Sequence, residues 1–200
     1  MTATPDFESP AARIALLVQG VGDERLADPT PCAKYKVRDL LSHLVGLTAA
    51  FRDAGRKEFG PSTTTAPGPV MPDLDPDWRT VLPRQLDELV ATWRKPEAWE
   101  GETQAGGITL PAEIMGLVAQ NELLVHGWDL ARATGQEYKV DAANLEASLA
   151  LLTPAPDADA ADGADEAGLF APAVPVPADA PMLDRVVALA GRRPSWTPPS

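Results

Sequence analysis

Two histidines, His43 and His126, are the chain's whole supply of imidazole, and Glu122 stands four residues before the second of them. In a helix, residues four apart lie one turn above each other on one face, so Glu122 and His126 can reach a common point. That face also carries Met115, Val118, Ala119, Leu130 and Ala133, which marks it as inward-facing. His43 likewise falls among Leu40, Leu44 and Leu47, where helical periodicity expects carbon. A carboxylate buried without a partner is costly, so something must compensate Glu122. A divalent cation held by two imidazoles and one carboxylate would do so. Three protein ligands would leave it an open position, the mark of a catalytic rather than a structural site. Two ordinary readings stand beside this one: His43 as a hydrogen-bonded core residue, and Glu122 with His126 as a surface pair. Asp129, one turn beyond His126, is placed to accept an imidazole N–H and fix the ligating tautomer, or else to pair with Arg132.

The elements that must position these groups read as helices. Ser9-Pro10 opens a first helix with Ile14, Leu17, Val18 and Val21 inward, ending at Gly20 and Gly22. A second runs from about Val37 to Gly55 with Leu40, Leu44, Leu47 and Phe51 as its stripe. Five prolines between Gly60 and Pro76 predict a surface crossover with no helix in it. A third helix, with Asp77 as cap, buries Leu82, Leu86, Leu89 and Trp93 and stops at Pro96. The fourth starts near Thr109-Leu110-Pro111 and ends at Gly135. Asp141 caps a shorter helix with Leu145, Leu149 and Leu152. The acidic stretch from Thr153 to Gly168 reads as a mobile loop, and a last helical turn or two holds Val186, Val187 and Leu189. No strand alternation stands out. The expectation is an all-α domain spanning residues 1–200: four main helices in a bundle, long crossover loops, residues 153–180 largely loop, and a C-terminal helical appendage.

Composition narrows the function classes. Two hundred residues with 44% hydrophobic and 23% charged side chains suit one globular domain. A net charge of −12 repels a phosphate backbone, so nucleic acid is not an expected partner. No apolar run is long enough for a membrane span, and the N-terminus has no export signal, which makes the cytoplasm the expected location. The single cysteine, Cys32, excludes an intrachain disulfide and a four-cysteine zinc site. A thiol ahead of a helix can be acidified, though a lone cysteine is more often inert. Trp128 reads as a packing residue. Arg192 and Arg193 read as a solvated tail, with contact to an anionic substrate as the alternative.

Three segments carry a family resemblance: Pro29-Thr30-Pro31-Cys32 followed by Val37 to Leu44, Asn121 to Ala131 around Glu122 and His126, and the tail from Phe170 to Pro194. Together they resemble the actinobacterial metal-binding proteins related to the N-terminal domain of mycothiol-dependent maleylpyruvate isomerase, within the DinB-like group of four-helix bundles. The resemblance implies a divalent metal on His43, Glu122 and His126, zinc foremost, with Ni2+ or Fe2+ as alternatives. It also implies mycothiol as a cosubstrate and a small-molecule substrate, with a homodimer left open. The chain departs from the pattern at Tyr35, where the family commonly has tryptophan. It departs again at Lys36, where a Ser or Thr cap is usual and its loss removes half of a capping box, at about 1 kcal/mol.

A thiol entering the open position would bind as thiolate and could attack an epoxide, an activated alkene or a leaving-group carbon. The expected function is therefore a metal-dependent thiol transferase or isomerase. The alternatives are a metal-hydroxide hydrolase or lyase and a non-catalytic metal-binding bundle. The isomerase's second domain is absent from this length of chain, so maleylpyruvate itself is not the expected substrate.

Overall fold

A computed structural model describes residues 6–66, 71–153 and 172–199. Among them are seven α-helices and a two-stranded sheet: α1 (Glu8–Gln19), α2 (Val37–Arg56), α3 (Pro61–Thr64), α4 (Trp78–Trp93), β1 (Glu102–Ala105), β2 (Ile108–Pro111), α5 (Ala112–Thr134), α6 (Ala142–Leu152) and α7 (Met182–Leu189). The mostly helical expectation is borne out. No helix among the described residues is long and apolar enough to cross a membrane.

Four helices enclose the main core. α4 lies between α1 and α2, and α5 closes the ring from the other side by packing on both of them. Their apolar stripes meet there: Ile14 and Val18, Leu40 and Leu44, Leu82 and Leu86, Leu123 and Leu130 are all buried. A helix of this length is stabilised chiefly by that burial, since propensity alone leaves it marginal in water. The α6 and α7 appendage builds a second, smaller cluster, in which Leu152, Val186 and Ala190 cover Leu124 and Val125 on the back of α5. α5 is thus buried on nearly every side, and its polar side chains must find partners inside the protein.

Several boundaries differ from the sequence reading. α1 begins at Glu8, with Phe7 in the cap position, so Ser9 lies inside the helix. Asp77 takes the predicted cap position of α4 but gives no side-chain cap bond, whereas the Asp141 carboxylate accepts from the Asn144 N–H at 2.9 Å as expected. At α2 the Lys36 N–H donates to Asp39 at 3.0 Å, so the acidic half of the capping box survives without the hydroxyl half. Pro61 starts one helical turn, α3, where none was expected, because proline fits the first position of a helix. The acidic loop falls almost wholly outside the described residues.

The hairpin is the larger correction. Thr109 to Pro111, read as the start of the fourth helix, form β2 and pair with β1 across Gly106-Gly107. Both glycines have positive φ, 58° and 79°, as a tight two-residue turn requires. Only Thr103 and Ala105 of the eight strand residues are buried, too short an alternation to register as a period of two. The Thr103 hydroxyl donates to the Ala54 carbonyl, which ties the hairpin to the end of α2.

Gly116 shows how closely α5 is packed. A Cβ there would stand 2.4 Å from Trp99 Cζ3 and 2.8 Å from Trp93 Cζ3. Neither indole is free to move, since Trp93 Nε1 donates to the Phe51 carbonyl at 2.9 Å and Trp99 Nε1 to the Trp93 carbonyl at 2.7 Å. Gly116→Ala is therefore expected to destabilise by about 1–3 kcal/mol, seen as a lower urea midpoint at unchanged slope.

Candidate metal centre

α2 and α5 meet at the level of His43, and there the three sequence candidates converge. One ligand atom from each of His43, Glu122 and His126 lies within 4.8 Å of the other two. Glu122 Oε2 is 3.2 Å from His126 Nε2 and 3.6 Å from His43 Nε2. The two imidazoles stand edge to face at 83°, their centroids 4.8 Å apart. Donors about 2.0–2.1 Å from a tetrahedral ion are about 3.3 Å from one another. The two separations from Glu122, 3.2 and 3.6 Å, are close to that spacing, the three donor atoms lie within 4.8 Å of one another, and the nitrogen and oxygen donor set is one that zinc accepts. The residues present therefore fit a divalent cation. Among the described residues the cluster has three members.

His126 is oriented from behind. Asp129 is fully buried, and its Oδ2 stands 3.0 Å from His126 Nδ1. A carboxylate only accepts, so Nδ1 carries the proton and Nε2 faces Glu122. Arg192 completes this layer: it is 8% exposed, and its Nη2 donates to the same Asp129 oxygen at 3.1 Å. Arg192 as solvated tail is thus corrected; Arg193 is the exposed member of the pair. Arg132 does not reach Asp129 but donates to the Trp196 carbonyl. Gly127 leaves room for Tyr138, whose hydroxyl donates to the Leu124 carbonyl at 2.7 Å. Trp128 is buried, in keeping with a packing role.

Burial works against charge on Glu122, but hydrogen bonds from His126 and then His43 outweigh it and hold the carboxyl well below its ordinary range. Burial also opposes a charged His126. Bonds to Asp129 and Glu122 prevail and raise its pKa to about 9. Without a cation, then, Glu122 is anionic and His126 carries a second proton on Nε2.

Tyr35 is the residue that sequence reasoning noted only as a departure. Its ring centroid lies 5.2 Å from that of His43 and 6.3 Å from that of His126, so it walls one side of the cluster. Thr30 sets it there by donating to the Tyr35 carbonyl at 2.7 Å. The available signal was its place in an aromatic position five residues after a Thr-Pro turn. Cys32 is half-buried nearby, and burial pushes its thiol up despite Arg192, which removes the acidified-thiol reading. The His43 and Glu122 side chains retain 14% and 19% exposure, so solvent reaches the cluster on their side.

Residues 7–131 match the family model of the mycothiol maleylpyruvate isomerase N-terminal domain, well over half of the chain. The chain belongs to that family. All three candidate ligands lie within the matched segment, while Arg192 lies beyond it. The family member is also 28% identical over 184 residues to an uncharacterized protein of Mycobacterium tuberculosis, Rv0738 in strain H37Rv and MT0763 in strain CDC 1551, covering 89% of this chain and 91% of the relative. Its fold resembles the crystal structure of the mycothiol-dependent maleylpyruvate isomerase, at 16% identity and a TM-score of 0.56, over 74% of this chain and 67% of the other. A histidine-to-alanine mutant of that enzyme aligns similarly, at 17% identity and 0.54. The likeness bears out the DinB-like helical reading.

Proposed function

We propose that this family member is a divalent-metal-dependent enzyme that presents a low-molecular-weight thiol, mycothiol by kinship, to a small electrophilic substrate for transfer or isomerisation. The convergence of His43, Glu122 and His126 on one point with a solvent-reachable side carries the reading. The thiol is supported by the family and by the fold likeness to an enzyme described as mycothiol-dependent. A bound cation such as Zn2+ would supply Lewis acidity, lowering the pKa of a thiol that enters its open position.

The chain's own residues do the rest. His43, Glu122 and His126 hold the cation, and Glu122 offsets one of its charges. Asp129 keeps the His126 proton on Nδ1 so that Nε2 is the donating atom. Tyr35 covers one flank of the imidazoles, which confines the approach of thiol and electrophile to the side of His43 and Glu122. Calorimetric titration of the zinc-loaded protein with mycothiol tests this directly. Saturable heat that disappears in zinc-free protein is expected. No thiol binding at millimolar concentration, together with hydrolysis of activated esters by the loaded protein, would move the site to the hydrolase reading.

Loading the site must expel the His126 Nε2 proton, since a metal ligand has to be deprotonated. Zinc affinity is therefore expected to rise about tenfold per pH unit from about 6.5 and to level off near pH 9, with about one proton released at neutral pH. Calorimetry in two buffers of different ionisation enthalpy counts that proton. The metal-free protein has the opposite slope. His126, raised above its ordinary value, contributes stability in full below pH 6.5 and loses it as pH climbs through about 9. Glu122, held low, contributes throughout that range.

A further inference from the structure

We infer that the C-terminal segment is a working part of the metal centre: Arg192 acts through Asp129 as a positioning residue for His126, so that docking of the segment and cation binding reinforce each other. The inference rests on the metal-site reading above and adds a residue outside the family's matched segment, which ends at residue 131.

The contacts form one line. Asp129 Oδ2 is shared by His126 Nδ1 at 3.0 Å and Arg192 Nη2 at 3.1 Å, while Arg192 Nε stands 3.4 Å from both carboxylate oxygens. Asp129 has no exposed surface. A carboxylate so placed is costly to bury without a charged partner, and Arg192 supplies one. A fork of charged donors on a carboxylate is a strong, directional arrangement, and the oxygen that Arg192 Nη2 holds is the one that meets His126 Nδ1.

Arg192 is aimed there by the fold. Gly191 takes φ 80°, a conformation that turns the chain back sharply at the end of α7. The Arg192 N–H then donates to the Val187 carbonyl at 2.8 Å, and Nη1 donates to the Ala190 carbonyl at 2.6 Å. The turn is anchored through α7, whose Val186 belongs to the cluster that covers Leu124 and Val125 of α5. Beyond it the Trp196 carbonyl accepts from Arg132. The segment thus docks on the helix that carries two of the three ligands. Coupling of two binding events is reciprocal, so whatever loosens the segment must weaken the cation, and the cation must tighten the segment.

The test is chelator competition for Zn2+ on the full chain, comparing wild type, Arg192→Met, Arg192→Lys, Asp129→Asn and the Arg192→Met/Asp129→Asn double variant, with folding followed by circular dichroism. Asp129→Asn is expected to weaken zinc about 10–100-fold, the range for removing a group behind a ligand, and Arg192→Met to produce a measurable part of that loss. Arg192→Lys should recover part of that loss. The double variant should bind no more weakly than Asp129→Asn alone, which a merely structural arginine would not produce, because its cost would add. Zinc should also slow hydrogen exchange of residues 186–192 in the wild type. Wild-type affinity in Arg192→Met, or additive losses in the double variant, would overturn the inference while leaving the site intact. If wild type takes up no zinc, the site reading fails and this falls with it. Should Arg192→Met not fold, Arg192→Lys decides: it must bind zinc measurably more weakly than wild type for the inference to stand.

Discussion

The His126→Ala protein is expected to fold and to carry no stoichiometric zinc by elemental analysis, where the wild type carries one equivalent. His126 is the most buried of the three ligands and the one with a dedicated partner behind it. Its removal leaves Glu122 and His43, a pair with no third donor in reach among the described residues. The loss should exceed the about 10–100-fold that follows removal of a group behind a ligand, because a direct bond disappears. The fold should persist, since Leu123, Leu130 and Ala133 still fill the core face of α5. His43→Ala should show the same loss, as both histidines are required to complete the set. Zinc retained at one equivalent in either variant would break the proposed function at its root.

Asp129→Ala is expected to be among the most destabilising single changes in the metal-free protein, costing about 3–5 kcal/mol in chemical denaturation. The reason is the residue left behind. Arg192 is 8% exposed, and among the described residues its guanidinium has Asp129 as its only carboxylate partner within bonding distance. Removing Asp129 strands a buried positive charge beside His126, whose raised pKa must fall at the same time, because Asp129 is one of its two supports. Replacing both partners, as Asp129→Leu with Arg192→Met, should recover most of the loss, since exchanging a buried ion pair for apolar groups of similar volume is often neutral. A single Asp129→Ala cost within about 0.5 kcal/mol, the range of an ordinary surface change, would show that the pair is solvated in solution. The stability of the double variant and its zinc affinity should then part company: stable protein, weak site.

Much of this molecule is legible from residue spacing. Leu40, Leu44, Leu47 and Phe51 repeat as one face of a helix and are buried as such. His43 lies within that face, and Glu122 with His126 on the corresponding face of α5, so the candidate donors could be named before any coordinates. Gly135 ends α5 in the left-handed conformation, at φ 71°, that its position implies. The hairpin was hidden because two strands of four residues, with two of the eight buried, leave no measurable alternation. Local rules also misplaced Ser9, because docking of Phe7 against Trp93, with ring centroids 5.6 Å apart, carries the helix start back past the better cap.

What the sequence determined by itself is therefore what depends on near neighbours along the chain: helix identity, inward faces, and the pairing of Glu122 with His126 four residues on. What tertiary structure alone decided is what depends on residues far apart in number. His43 meets Glu122 across 79 positions, Tyr35 closes over both imidazoles, and Arg192 reaches back 63 residues to Asp129. Side-chain periodicity reports which face of a helix is buried but carries no information about which other face it will meet. That choice is made by the packing of whole helices, and in this chain the packing turns an arginine of the tail into the partner of a carboxylate behind the candidate metal site.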